Sequence, residues 1–142
     1  MASPTQSELK KQLIAAGLEI FRTQGQRIHL ADRVRENLIM DSGVAAVAAD
    51  PPGVRLVVRV SSTHFPTETP AQLFSRARQL GQRAESLGYQ EVDTAVVHVR
   101  DPGGSEATLD TLYEVSYEKS VPLEDLIAEL RAALLVEKTS AG

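Results

Sequence analysis

The chain has 142 residues, 42% of them hydrophobic and 24% charged, with a formal net charge of −4 and a pI near 5.4. That composition fits one globular domain rather than a disordered segment, and a chain of this length can bury roughly two thirds of its unfolded surface without metal or disulfide staples. Cysteine is absent, which excludes disulfides and thiolate metal sites.

No apolar run approaches the ~18 residues that a membrane span needs. The opening Met1-Ala2-Ser3-Pro4-Thr5 has no basic region followed by an apolar stretch, so a cytoplasmic location is expected by elimination. Charge is spread unevenly. Residues 1–83 carry 11 basic and 7 acidic side chains, whereas residues 84–142 carry 4 and 12. Such asymmetry fits either a polar interaction surface or, as the favoured reading, two solvated faces that neutralise one another on folding.

A first helix is expected over residues 6–24. Thr5-Gln6-Ser7-Glu8 has capping-box spacing, Leu9, Leu13, Ala16, Gly17 and Ile20 recur at helical steps, and Gly25 is the expected stop. In the next stretch, Ile28-His29-Leu30 suits a short strand. Leu30, Val34 and Leu38 lie four apart and favour a second short helix over 31–39, with an alternating strand through Val34, Glu36, Leu38 and Met40 as the other reading. A hairpin follows. Gly43 to Ala49 is apolar, Asp50-Pro51-Pro52-Gly53 is turn chemistry, and Val54, Leu56, Val58 and Val60 alternate inward with Arg55 and Arg59 outward.

Thr69-Pro70 begins a helix over 70–87 expected to bury Leu73, Phe74, Ala77, Leu80, Ala84 and Leu87, with Gly88 ending it. A second hairpin runs over 91–100 and 108–118, turning at Asp101-Pro102-Gly103-Gly104. Leu109, Thr111, Tyr113, Val115 and Tyr117 share one face there, and Asp110, Glu114 and Glu118 the other. A last helix starts at Pro122, with Leu123, Ile127, Leu130 and Leu134 on one side. Residues 1–5 and 138–142 read as frayed ends. The expected fold is therefore a single α+β domain over 1–142. It has one antiparallel sheet of two hairpins, about four strands, with helices on one face in the order α-(α)-ββ-α-ββ-α.

Chemistry is sparse. His29, His64 and His98 are isolated, no serine sits in a G-x-S-x-G context, and Gly103-Gly104 lacks the lysine and helix of a phosphate loop. The acidic row Asp110, Glu114, Glu118 faces the Arg55/Arg59 row and reads as cross-strand charge pairing rather than a cation site. No catalytic residue, cofactor or metal is assigned. Leu13 to Gly25 resembles the first helix of TetR-type DNA-binding domains, but no recognition helix follows and the phosphate-binding residues are missing. The group Arg22, Arg27, Arg33 and Arg35 is a small electrostatic patch, and nucleic acid is not an expected partner.

Two candidate regions remain. Phe74, Ala77, Gly81 and Ala84 form a small-residue stripe on helix 70–87 that suits close helix packing, either on its own sheet or in a homodimer. His29, Asp32, Arg33, Arg35 and His64 mark a possible polar pocket around residues 27–41 and 61–69. The element order, acidic pI and size are similar to type III secretion chaperones. That resemblance implies a dimer that wraps an extended segment of a client protein, although those proteins carry an extra strand where a short helix is read here. The expectation is a non-catalytic protein-binding or adaptor domain, with a small ligand-binding domain or enzyme as the alternative.

Overall fold

The computed structural model describes residues 5–100, 103 and 108–140, with side chains described through Val136. The chain runs α1 (Gln6–Ala15), β1 (Ile20–Gln24), β2 (Arg27–Arg35), β3 (Leu38–Val47), β4 (Gly53–Ser61), α2 (Pro70–Ser86), β5 (Gln90–Arg100), β6 (Thr108–Ser120) and α3 (Leu126–Ser140). Short 3-10 turns cover Ser62–His64 and Leu123–Asp125. The six strands make one antiparallel sheet in the order β1-β2-β3-β4-β6-β5. The first four form a meander. β6 then inserts between β4 and β5, which α2 connects.

This corrects the expected fold of two hairpins and about four strands. The added strands lie in residues 16–47. The first helix stops at Ala15 rather than at residue 24, because Gly17 adopts φ +87° and closes the helix end. Its amide bonds the Ile14 carbonyl at 3.0 Å and that of Leu18 bonds Leu13 at 3.1 Å, the paired closure of a Schellman motif. Ile20-Phe21-Arg22-Thr23 then suits a strand better than a helix. Gly25, the expected helix stop, instead sits at φ +58° in the two-residue turn joining β1 to β2, where Gln24 pairs Arg27. The span resembling a TetR-type first helix is thus a helix end, a turn and a strand.

The short helix expected over 31–39 is likewise absent. β2 and β3 pair across a turn at Glu36-Asn37, with Arg33 opposite Ile39 and Arg35 opposite Leu38. Further along, β3 carries a bulge. His29 pairs Ala45 but Ala31 pairs Asp41, so Ser42, Gly43 and Val44 bow out between them. Gly43 supplies φ +83° there, and its amide donates to Asp41 Oδ1 at 2.9 Å.

The turn at Asp50-Pro51-Pro52 holds, with a cis peptide before Pro51. The expected turn at residues 101–104 lies outside the described residues except for Gly103. Residues 1–4 and 141–142 also lie outside them, whereas Thr5 caps α1 and α3 continues to Ser140.

The chain divides into two compact units, residues 1–56 with 118–142, and residues 57–117. The core of the first holds Leu9 and Leu13 of α1, Ile28, Leu30, Val44, Val54 and Leu56 of the sheet, and Leu126, Leu130 and Ala133 of α3. The buried stripe of α3 is therefore Leu126, Leu130, Ala133 and Val136, not one through Leu123, which is exposed. In the second unit the core is Val58, Val60, Val115, Tyr117 and Tyr89 with Leu73, Ala77 and Ala84 of α2, whereas Leu80 and Leu87, expected to be buried with them, are exposed. All four inward residues expected on β4 are buried. On its other face, Arg55 pairs Glu118 at 2.6 Å and Arg59 pairs Glu114 at 2.6 Å. Those bonds join the basic part of the chain to the acidic part, with Arg55 buried rather than solvated.

Candidate functional site

The residues singled out from the sequence fall into distinct settings. Ala77, Gly81 and Ala84 are buried on α2, and Phe74 beside them meets Tyr113 of β6 edge-to-face at 5.2 Å. A Cβ added at Gly81 would overlap the Tyr117 phenol ring. The glycine is thus needed for close approach within the chain, and the helix propensity it sacrifices, about 1 kcal/mol, is offset by seating a tyrosine. Tyr117 is fully buried, and its hydroxyl has no hydrogen-bond partner among the described residues. Burial, with the carboxylates of Glu85 and Glu91 nearby, pushes its pKa up to about 12.

The pocket candidates do not gather into one catalytic group. His29, on β2, is half-buried, with Nδ1 3.8 Å from Asp41 Oδ2 on β3. Arg33 is held bidentate by Glu19 at 2.9 and 2.8 Å, and its Nη1 donates to the Glu36 carbonyl at 2.6 Å. Those hydrogen bonds hold the Glu19 carboxyl below its usual range. Arg35 is exposed at the end of β2. A shallow cavity of about 260 Å³ takes in Glu19, Leu30, Ala31, Asp32, Arg33 and Leu134, so it includes Asp32 and Arg33 but neither His29 nor Arg35. His64 belongs to the other unit, exposed on its 3-10 turn. Among the described residues no three His, Asp or Glu side chains gather as a metal site requires.

The polar clusters of the second unit are likewise structural. Asp110 accepts from Ser61 Oγ at 2.6 Å, from the Thr111 amide at 2.7 Å and from Ser62 Oγ at 3.3 Å. Asp110 thus clamps the end of β4 to β6, and these donors, Ser61 foremost, hold its carboxyl below the ordinary range. Arg76 is gripped by Glu68 through two hydrogen bonds and lies over the Phe65 ring at 4.0 Å. The same two hydrogen bonds hold Glu68 below its usual range.

The feature that stands out was not singled out from the sequence. β5 ends the sheet, and all eleven of its residues are exposed, on both faces. Val92, Val96, Val97 and Val99 are 49, 46, 38 and 37% exposed. The strand Gln90-Glu91-Val92-Asp93-Thr94-Ala95-Val96-Val97-His98-Val99-Arg100 contains neither proline nor lysine; its charged residues, which help to blunt a free edge, are Glu91, held by Arg78 of α2 at 2.9 Å, Asp93 and Arg100, and they leave the stretch from Thr94 to Val97 uncharged. β1, at the opposite end of the sheet, has five residues. Short edge strands are themselves a protection. β5 is more than twice that length, and chemically it offers a row of backbone donors and acceptors flanked by apolar side chains.

No family model matches the chain, and no curated protein matches it. Among solved structures, it is similar to an uncharacterised protein from Methanothermobacter thermautotrophicus, at 15% identity over 96% of this chain and 94% of that one, with a TM-score of 0.47.

Proposed function

We propose that this chain is a non-catalytic protein-binding domain of the cytoplasm, adaptor-like or chaperone-like in kind, that takes an extended polypeptide segment alongside β5. The observation that carries this reading is the eleven-residue edge strand exposed on both faces. Strand addition draws its affinity from main-chain hydrogen bonds and its selectivity from alternate side chains, and β5 offers both. A long edge strand with several exposed valines is otherwise an aggregation hazard, so a chain that keeps one has a use for it. No helix in the described residues is long and apolar enough to cross a membrane.

The test is affinity capture from native lysate with the wild-type chain and with Val97→Lys, identifying retained proteins by mass spectrometry. Lysine on an edge strand opposes pairing without touching the core. A stoichiometric partner held by the wild type and lost by the variant is the expected result. A partner held equally by both would remove β5 from the interface, and no partner on either would end the protein-binding reading.

A further inference from the structure

We infer that the cavity beside Asp32 binds a small organic cation, an alkylammonium whose charge meets the Asp32 carboxylate and whose chain lies on Leu18, Leu30 and Leu134. This goes beyond the β5 reading and does not depend on it.

The cavity forms where β1 stops accompanying β2. β1 begins at Ile20, opposite Leu30, and the Ala31 amide donates to the Glu19 carbonyl at 2.9 Å. Past Ala31, β2 runs on to Arg35, while the chain before Ile20 turns back through Gly17 to α1. The space of about 260 Å³ left there has Leu18, Leu30 and Leu134 of α3 in its walls, all within the first compact unit. Leu30 is buried and the other two leucines are half-buried.

Strand alternation puts Asp32 on the same face of β2 as Ile28 and Leu30. It is half-buried, and its carboxylate has no hydrogen-bond or ion-pair partner among the described residues. The neighbouring cations are committed elsewhere. Arg33 is the basic residue of the wall; Glu19 holds it bidentate at 2.9 and 2.8 Å, and its Nη1 donates to the Glu36 carbonyl at 2.6 Å. Arg131, one turn before Leu134 on α3, donates to the Ala16 carbonyl at 2.6 Å. With Glu19 and Arg33 balancing one another, the cavity keeps the negative charge of Asp32.

These features select the ligand. An anion would meet that charge with Arg33 already balanced. A hard metal ion needs about six oxygen ligands, and here Asp32 stands among leucines. A neutral apolar molecule would shut the carboxylate away from water unpaired, which is costly. An ammonium on an alkyl chain pairs the carboxylate and covers the leucines at once. The volume lies just below the usual range of ligand pockets, about 300–1,000 Å³, so the ligand is small, a chain of about four to six carbons.

The experiment is an NMR titration of the isotope-labelled full chain at neutral pH with pentylammonium, with pentanol as the neutral chain and ammonium as the bare cation. Pentylammonium is expected to shift the amides of Leu18, Glu19 and Ala31 to Arg33 saturably, with a Kd of about 1 mM. Asp32→Asn keeps the shape and removes the charge. It is expected to weaken that binding about tenfold and to leave the circular dichroism spectrum unchanged, since the carboxylate holds nothing in the free chain. Pentanol or ammonium binding as tightly as pentylammonium overturns the joint recognition of charge and chain. Shifts still unsaturated at about 10 mM, ten times the expected Kd, overturn the site. Full affinity in Asp32→Asn overturns the anchor. Nα-acetyl-lysine amide then separates two sources of the same group: binding as tight as that of pentylammonium assigns the site to a basic side chain of a polypeptide, and exclusion assigns it to a free amine.

Discussion

β4 and β5 look alike as sequences and end up opposite in the fold. Val54-Arg55-Leu56-Val57-Val58-Arg59-Val60 and Val92-Asp93-Thr94-Ala95-Val96-Val97-His98-Val99 are both valine-rich, alternating and free of proline and glycine. β4 lies between β3 and β6, with Val54, Leu56, Val58 and Val60 all buried, and even its Arg55 side chain is only 7% exposed. β5 lies at the edge, with every residue exposed. The period-two pattern records which side chains share a face. It does not record whether anything covers that face, which depends on where later strands insert. What made β5 an edge is β6, which took the place beside β4.

Substitutions in the two strands should expose that difference, and the largest effect belongs to the buried strand. Val58→Lys puts an ammonium where 3% of the residue is exposed. It is expected to cost about 4 kcal/mol or more, by denaturant titration, enough to unfold much of the chain. Next comes the contact that seats β6, the strand between the two. Gly81→Ala gains about 1 kcal/mol of helix propensity but collides with a rigid, fully buried ring. Overpacking wins, and a net loss of roughly 1–3 kcal/mol is expected. The loss should shrink in a Tyr117→Val background; an unchanged cost there would place the strain elsewhere.

The same tyrosine gives a pH test. Its pKa rises to about 12 on folding, because the buried phenol resists ionisation. The stability it contributes is complete below its unfolded value, about 10, and drains away as pH rises through its folded one. Relative to wild type, Tyr117→Phe should flatten the loss of stability over that alkaline range, and thermal melts at stepped pH would show it. Asp110 has the opposite sign. Its folded pKa is lowered, so its contribution is present above the unfolded value, about 3.9, and fades as pH falls through the folded one. Asp110→Asn should therefore lessen the dependence of stability on pH in that acid range. The smallest effect is Val97→Lys on β5, expected to move stability by no more than about 0.5 kcal/mol while altering association. A large loss of stability there would mean that β5 is covered after all.

Much of the fold was legible where one local rule sufficed. Thr69-Pro70 and Gly88 bracketed α2, and the Arg55/Arg59 row found Glu118 and Glu114 as cross-strand pairing required. Residues 16–41 misled for a physical reason. Leu30, Val34 and Leu38 are four apart, and a spacing of four keeps residues on one face of a helix and on one face of a strand alike. The decisive signals were elsewhere, in Gly17 as a helix end, in the β-prone run Ile20 to Thr23, and in Asn37 at a turn. The candidate site was less legible still. Gly81 stood out in the sequence, but its partner, Tyr117, is 36 positions away along the chain. The exposure of β5 could not be read from β5 at all.

The insertion of β6 also shapes how the chain must assemble. β4 emerges with one side already paired to β3, but its other neighbour begins at residue 108, after α2 and β5 have been made. Closing that long loop carries an entropy cost before any ladder bond is gained, so the pairing of β6 with β4 is of high contact order. During synthesis β4 therefore waits with an open side. A strand that is central in the finished sheet begins as an edge, and it is β6 that passes that role outward to β5.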